Sequence, residues 1–259
     1  QWPSQKIEID VCYTAGGTAD TVARQLSALM SQQLSTTFNL VNVTGGSGSI
    51  AGQQVYAAAH DGYTWLGDVA HTVSGWRTLG YADLGWEDFY GFYAASSPYV
   101  LFVSGNSPYQ TAQQLFDAMR GDPSMKWGNA GLGSINQLTG SLMLEKLGLK
   151  GNSVPYDGGR SAAIKVVAGE VTWSWCGLSD ILDLAQSGDI RILGICDSSP
   201  REIDCAKGNY TVPSLLDDYP ELSDLQGLLY WGFRVSRDTP ADAVAKIRDA
   251  FQSTVDSKE

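Results

Sequence analysis

Short apolar runs alternate along the first part of the chain with segments in which apolar residues recur at helical spacing. The run at 6–12 predicts a β-strand, and the pattern over 21–34 predicts an amphipathic helix. A strand at 38–43, a helix at 49–59 and a strand at 63–69 complete the first set. This β-α-β-α-β order predicts a mainly parallel sheet with helices on its faces.

A second alternating set follows, and the chain then returns to the pattern of the first. The predicted strands are 99–103, 127–129, 154–156, 171–176, 191–195 and 230–235, and the predicted helices are 111–120, 135–147, 161–168, 179–186 and 241–255. Thr239 as N-cap with Pro240 at the first helical position predicts the start of the last helix. The order predicts two α/β lobes, 1–98 plus 228–259 and 99–227, with a ligand cleft between them.

Three small-residue turns follow predicted strands and open predicted helices. They lie at 15–17, 130–134 and 156–159. Such a junction leaves the first backbone N–H groups of the helix unpaired, and glycine lets a ligand approach the backbone closely. Because the carboxyl ends of parallel strands face the ligand crevice, the three turns together predict an anion-binding site. Each turn alone is more often only a tight connection.

Composition excludes several classes of partner and of site. The net charge of −11 disfavours nucleic acid and anionic lipid, so an anion must be held by local dipoles. The four cysteines form no C-x-x-C pair and there are two histidines, which argues against zinc. No apolar run reaches the roughly 18 residues of a membrane span. No cofactor is expected.

Catalytic signatures are few. Neither G-x-S-x-G nor H-E-x-x-H occurs, and no pair of carboxylates stands out, so the chain is expected not to be an enzyme. Residues 46–51 match G-x-G-x-x-A, with Asp68 about twenty residues further on, as in dinucleotide-binding folds. A dinucleotide-dependent oxidoreductase therefore stays open as an alternative, although the helix after this turn is short and the strand before it is the second.

The cysteines and two tryptophans allow competing interpretations. Cys196 and Cys205 bracket a turn-rich stretch and form a possible disulfide if the protein is exported. Cys176 and the fourth cysteine, at position 12, lie in apolar runs typical of buried thiols. Trp173 and Trp175 share one face of a strand, which favours packing under a helix over a place in a ligand wall.

Several motifs together, in order along nearly the whole chain, resemble a known family. They are Trp2-Pro3, A-G-G-T-A-D at 15–20, G-G-S-G-S-I-A-G at 45–52, D-G-Y-T at 61–64, G-L-G-S at 131–134, V-P-Y-D-G-G at 154–159, G-E-V at 169–171, S-G-D-I-R at 187–191, and Trp231-Gly232 through Thr239-Pro240. The chain is similar to the extracytoplasmic solute receptors of tripartite tricarboxylate transporters, the Bug receptors.

The resemblance implies a two-lobed type II periplasmic binding protein fold that closes on its ligand. It implies capture of a small organic carboxylate, a di- or tricarboxylate or an aromatic acid, and delivery to membrane permease subunits of a tripartite tricarboxylate transporter. A monomer in the periplasm, or otherwise extracytoplasmic, is expected. The first residues look like a mature start after removal of a signal peptide, as a trimmed chain also would. A ligand-sensing receptor for a signalling partner is the alternative.

The resemblance also implies a set of ligand-binding residues. In the first lobe they are Ala15, Gly16, Gly17, Thr18, Asp20, Ala70, His71 and Thr72, and in the second Gly133, Ser134, Ile135, Asn136, Tyr156, Gly159 and Cys176. Cys176 stands where family members often carry Asp, which argues against an amino-acid ligand. His71 and a nearby tryptophan are expected to favour a second carboxylate or an aromatic ring.

Overall fold

The computed structural model describes residues 2–205 and 208–257. It divides into two compact units: unit 1 comprises the chain up to Ser96 and from Tyr230 onward, and unit 2 comprises Ser97–Leu229. The chain passes between them within two of its strands, β4 and β11, whose bounds follow.

The strands are β1 Ile7–Val11, β2 Phe38–Asn42, β3 Thr64–Val69, β4 Phe89–Ser104, β5 Lys126–Asn129, β6 Asn152–Pro155, β7 Trp173–Gly177, β8 Ile190–Ile195, β9 Arg201–Ile203, β10 Tyr210–Val212 and β11 Leu228–Ser236. The α-helices are α1 Thr18–Leu34, α2 Ser49–Ala57, α3 Ala112–Gly121, α4 Ile135–Lys146, α5 Gly159–Val167, α6 Leu182–Ser187, α7 Leu215–Asp218 and α8 Ala241–Asp256. The α/β class predicted from the alternation is confirmed.

The sheet of unit 1 has the order β2-β1-β3-β11-β4. β1 pairs in parallel with both β2 and β3, and β11 runs antiparallel to β3. Gly67 lies against Ile9 and Val11 and below Ala23, so α1 packs closely on this face of the sheet. The carboxyl ends of β1, β2 and β3 share one edge, called here the unit 1 edge.

The sheet of unit 2 has the order β8-β4-β7-β5-β6. β5 pairs in parallel with β6 and β7, whereas β4 runs antiparallel to β7 and β8. The carboxyl ends of β5, β6 and β7 therefore share one edge, called here the unit 2 edge.

Stacked aromatic rings build one side of the unit 2 core. Trp173 stacks on Trp127 with ring centroids 5.0 Å apart, and Trp175 stacks on Tyr99 at 5.3 Å. Trp175 also donates a hydrogen bond to Thr139 Oγ1 of α4, at 3.0 Å. Both tryptophans are fully buried, so the packing interpretation of this strand is correct.

Several predicted bounds differ from the structure. Helix α1 begins at Thr18 rather than at residue 21, because Thr18, Ala19 and Asp20, directly after the glycine turn, already take helical geometry. Pro240 itself is the N-cap of α8, and Thr239 is not. Strand β4 begins at Phe89, ten positions before the predicted start at residue 99, since its first half lacks a regular apolar pattern. In the described parts of the chain, no helix combines the length and apolarity needed to cross a membrane.

Candidate functional site

Three segments meet at the unit 1 edge, one after each parallel strand. The Tyr13 hydroxyl, just after β1, lies 3.5 Å from Thr72 Oγ1, which follows β3. Gly48, after β2, approaches Thr72 and Cys12: a Cβ at Gly48 would lie 2.7 Å from Thr72 and 3.2 Å from Cys12. The structure therefore packs the predicted Thr72 beside the turn that leaves β1.

Asp20 shapes the glycine turn between β1 and α1. Its carboxylate accepts hydrogen bonds from the backbone N–H of Gly16, from Arg24 Nε and from Asn42 Nδ2, each at 3.0 Å. Burial acts to raise the pKa of Asp20, but the bonds from Arg24, Gly16 and Asn42 outweigh it and the pKa lies below its usual value. Asp20 is thus an ionised carboxylate that points back at its own turn.

This geometry corrects the view that the N–H groups of the turn all face a ligand. The N–H of Gly16 bonds Asp20, and the N–H of Gly17 bonds the carbonyl of Thr14 at 3.2 Å. Ala15 and Gly16 are exposed, while Gly17 and Thr18 are buried. The first helix therefore offers fewer backbone donors than the sequence predicted.

Arg234 supports the segment that follows β3. Its Nη2 donates to the carbonyl of Ala70, and its Nε donates to Asp68 Oδ2 at 2.7 Å. The guanidinium also lies 4.5 Å from the ring of Trp86. Because Arg234 is only 1% exposed, it fixes the position of Ala70 and is not itself a surface for a ligand carboxylate.

His71 follows Ala70 and is half-buried. Burial, together with the nearby positive charge of Arg234, lowers the pKa of His71 below its ordinary value. The imidazole lies edge-on to Trp86, with ring centroids 6.3 Å apart. The structure therefore places a half-buried imidazole beside an indole at the unit 1 edge.

Asp68, the acidic residue of the possible dinucleotide site, is bonded within the protein. Asp68 is fully buried, and its oxygens take hydrogen bonds from Arg234 and from the Tyr93 hydroxyl at 3.2 Å. The glycine that directly follows the G-x-G-x-x-A pattern, Gly52, serves the packing of α2, because a Cβ there would collide with the ring of Trp76. Asp68 is therefore not placed to bind a ribose hydroxyl.

Ser134 and Gln137 shape the turn between β5 and α4 at the unit 2 edge. Ser134 Oγ accepts the N–H of Gln137 at 3.2 Å, which makes Ser134 the N-cap. Gln137 Oε1 accepts the N–H of Gly133 at 2.5 Å. The N–H groups of Ile135 and Asn136 have no partner among the residues described, so they are the donors this turn leaves for a ligand.

Gly159, Cys176 and Asp180 come together at the same edge. A Cβ at Gly159 would lie 3.0 Å from the Cβ of Cys176 and 2.6 Å from Asp180 Oδ2. Burial raises the pKa of the Cys176 thiol well above its ordinary value, and Asp180 adds to the effect. The buried carboxylate of Asp180 therefore lies beside Cys176 at this edge.

Tyr156 is the candidate whose hydroxyl the structure directs elsewhere. Its backbone N–H bonds the carbonyl of Asn129, but its hydroxyl donates to Glu170 Oε1 at 2.9 Å. Glu170 comes shortly before β7 and so lies toward the amino end of that strand. Only the backbone of Tyr156 belongs to the unit 2 edge.

The possible disulfide between Cys196 and Cys205 does not form in the structure. All four cysteines are free. The thiol of Cys196 lies 3.8 Å from the carbonyl of Leu222, whereas that of Cys205 lies 3.4 Å from the carbonyl of Ala185. The two sulfur atoms thus contact different segments.

A cavity of about 550 Å³ lies elsewhere in unit 2. Its walls include Gly105, Arg191 and Tyr210, near the paired ends of β4 and β8. Because β4 runs antiparallel to β7, this is the opposite edge from the predicted turns. None of the predicted ligand-binding residues lines it.

Sequence reasoning did not single out Arg24, Asn42, Gln137 or Arg234. Two signals were available: Asp20 and Arg24 stand four apart, as ion pairs on helices do, and Ser134-x-x-Gln137 matches a capping box. No local sequence pattern points to Arg234, because its partner Asp68 is 166 positions away.

The comparisons with known proteins agree on one family. Residues 22–258 match the family described as "Tripartite tricarboxylate transporter family receptor". The chain is 28% identical to a UPF0065 protein of Bordetella bronchiseptica, over 86% of its own length and 65% of that protein. Because the family match covers most of the chain, this protein belongs to the tripartite tricarboxylate transporter receptor family.

Solved structures show the same fold. MatC from Rhodopseudomonas palustris with bound malate superposes with a TM-score of 0.85 at 22% identity, covering 99% of this chain and 86% of that one. Another R. palustris protein, solved with adipate, gives 0.86 at 24% identity, covering 100% and 85%. The predicted fold, that of two-lobed periplasmic binding proteins, is confirmed.

Proposed function

We propose that this chain is a non-enzymatic, periplasmic receptor that captures a small organic carboxylate. It delivers the ligand to the permease subunits of a tripartite tricarboxylate transporter. The family supports the receptor class, and malate and adipate in structural neighbours support a carboxylate ligand. The chain spans 65% of the length of its relative from B. bronchiseptica, so the activity of the whole protein is part of the proposal.

The observation that carries the proposal is the unpaired start of α4. Ser134 caps this helix, while the N–H groups of Ile135 and Asn136 keep no partner among the described residues. Backbone donors at a helix start hold an anion without a buried countercharge. That suits a chain with a net charge of −11, which cannot attract an anion at long range.

The ligand-binding residues of the proposal are those named from the sequence, with altered roles. Thr18, Thr72, Ser134, Ile135 and Asn136 supply donors. The glycines 16, 17, 133 and 159 give close access to the backbone, and Ala15, Ala70, His71, Cys176 and the backbone of Tyr156 shape the walls. Asp20 organises its turn and is not a ligand contact.

The test is isothermal titration of the purified protein as a monomer with malate, succinate, adipate, citrate, benzoate, aspartate and NAD. Saturable binding of one carboxylate class supports the proposal. Binding of NAD alone, or of none of these compounds to protein first unfolded and refolded to remove any carried ligand, contradicts it.

A further inference from the structure

Three of the helices that the structure describes begin with the same hydrogen-bond arrangement. In each, the side-chain oxygen of the third helical residue accepts the backbone N–H of the residue before the N-cap. The pairs are Gly16 with Asp20 of α1 at 3.0 Å, Gln110 with Gln114 of α3 at 2.7 Å, and Gly133 with Gln137 of α4 at 2.5 Å. The arrangement is a variant of the capping box.

Two of the three pairs belong to the candidate edges, and both of these involve glycine in the left-handed region. Gly16 has φ +78° and Gly133 has φ +75°. Glycine has more backbone freedom to lose on ordering than any other residue. A side chain that fixes its N–H therefore removes freedom at the two places where a binding turn most needs a defined shape.

The side chains of Asp20 and Gln137 are themselves fixed by further hydrogen bonds. The Asp20 side chain is 6% exposed and is also bonded by Arg24 and Asn42, and Asn42 in turn donates to the carbonyl of Tyr13 at 3.1 Å. These bonds tie the turn after β1 to the end of β2.

Gln137 is anchored in a comparable way. Its Nε2 donates to Ser153 Oγ at 3.1 Å, and Ser153 Oγ accepts Asn129 Nδ2 at 2.8 Å. Asn129 is fully buried and also accepts the N–H of Gly131 at 3.0 Å. The turn after β5 is thus tied to Ser153 in the first half of β6.

We propose that Asp20 and Gln137 are positioning residues that hold the two turns in their binding geometry before the ligand arrives. The inference rests on the proposed function, since it assigns these turns to the ligand site. When the turn is ordered before the ligand binds, less of the interaction free energy is lost to ordering, and the affinity is higher.

The chain offers a matched control for this proposal. Gln114 makes the same bond at the start of α3, where the residue before the N-cap is Gln110 and not a left-handed glycine. Helix α3 follows β4 and begins at the opposite edge of unit 2 from the predicted turns. Gln114→Ala therefore removes an equivalent cap outside the candidate site.

The experiment compares Asp20→Ala, Gln137→Ala and Gln114→Ala by titration with malate, adipate and citrate, after thermal unfolding shows that each variant is folded. For the acid that the wild type binds, we expect the first two variants to lose about tenfold or more in affinity. We expect Gln114→Ala to stay within about twofold of the wild type, because its cap stabilises only α3.

Two further measurements separate positioning from a loss of stability. Asp20→Asn and Gln137→Glu keep an acceptor oxygen and should recover part of the lost affinity. In ligand-free protein, amide hydrogen exchange at Gly16 and Gly133 should quicken about tenfold or more in the respective alanine variants.

The proposal is overturned if the folded Asp20→Ala and Gln137→Ala proteins bind as the wild type does, or if Gln114→Ala loses as much affinity as they do. If the wild type binds a different carboxylate of the function test, the variants are compared with that one. If it binds none of them, the proposed function fails, and hydrogen exchange alone decides the positioning role. Unchanged exchange at both glycines would then overturn it.

Discussion

Asp68 Oδ2 and Arg234 Nε lie 2.7 Å apart, and the side chains are 0% and 1% exposed. Asp68 pairs with Gly232 across β3 and β11, and Arg234 lies two positions further along β11, opposite Leu66, so the ion pair is diagonal across the two strands. Burial raises the pKa of Asp68 to about 6, against the opposing effects of Arg234 and Tyr93. This pair anchors the carbonyl of Ala70 and with it the segment that holds His71 and Thr72.

Removing one member of this pair should destabilise unit 1 strongly. Arg234→Met leaves Asp68 buried without its partner, which typically costs about 3–5 kcal/mol. Urea denaturation measures the change. Arg237→Met is the control: Arg237 is exposed and stacks on Tyr90 at 4.3 Å, so its loss should cost under about 1 kcal/mol. A similar cost for both variants would contradict the role given to Arg234.

The double variant Asp68→Leu with Arg234→Met separates an unpaired charge from lost packing. Replacing a whole buried pair by apolar side chains is often neutral, so the double variant should recover much of the stability lost in Arg234→Met. A double variant less stable than the single one would show that packing around the guanidinium dominates.

Asp10 predicts a pH dependence of stability. It is 6% exposed, and burial, with Glu8 adding to the effect, raises its pKa to about 6. Because the folded pKa is raised, its contribution is fully favourable below the unfolded value near 3.8 and is lost as the pH rises through 6. Asp10→Asn should therefore stabilise at pH 8, by on the order of 1 kcal/mol, and change little at pH 3.5. Equal effects at both pH values would contradict this.

Thr18→Ala and Ser134→Ala test the two turns as donors. Each should weaken binding of the cognate carboxylate by about 1–3 kcal/mol, since charge-assisted hydrogen bonds are lost. Ser134→Ala should also lower the free energy of unfolding by about 1 kcal/mol, because Ser134 caps α4. Titration calorimetry with paired unfolding curves distinguishes the two effects. Wild-type affinity in both variants would remove these turns from the site.

The free cysteines predict the behaviour of the thiols. Cys12, Cys176 and Cys196 are buried, and burial raises the pKa of the Cys196 thiol to about 12. Only Cys205 is partly exposed, so it should react first with a thiol reagent in the folded protein. The denatured, unreduced protein should titrate all four thiols. A count of two would instead support the bridge.

The sequence predicted the elements whose pattern is local. The parallel strands and the long helices follow from apolar periodicity. Thr111 caps α3 and accepts the N–H of Gln114 at 3.2 Å. The hairpin of β9 and β10 was missed, because three-residue strands carry no measurable alternation. These local signals also located the glycine turns.

The chemistry within the turns could not be predicted in the same way. Whether Asp20 faces a ligand or its own backbone depends on Arg24 and Asn42. Asn42 lies at the end of β2 and not on the helix of Asp20. The support of Ala70 by Arg234 depends on a contact between residues 164 positions apart. Such tertiary contacts leave no periodic trace, so the sequence named the turns but not the groups that hold them.

Whether this chain binds a carboxylate is decided most directly by isothermal titration of the refolded protein with dicarboxylates, citrate, aromatic acids, aspartate and NAD. We expect saturable binding of one class of carboxylate. Thermal unfolding with that ligand at about 100 times its dissociation constant should show a midpoint raised by a few degrees, because the bound ligand adds roughly 2.7 kcal/mol to the free energy of unfolding. Binding of NAD with no carboxylate bound would contradict it.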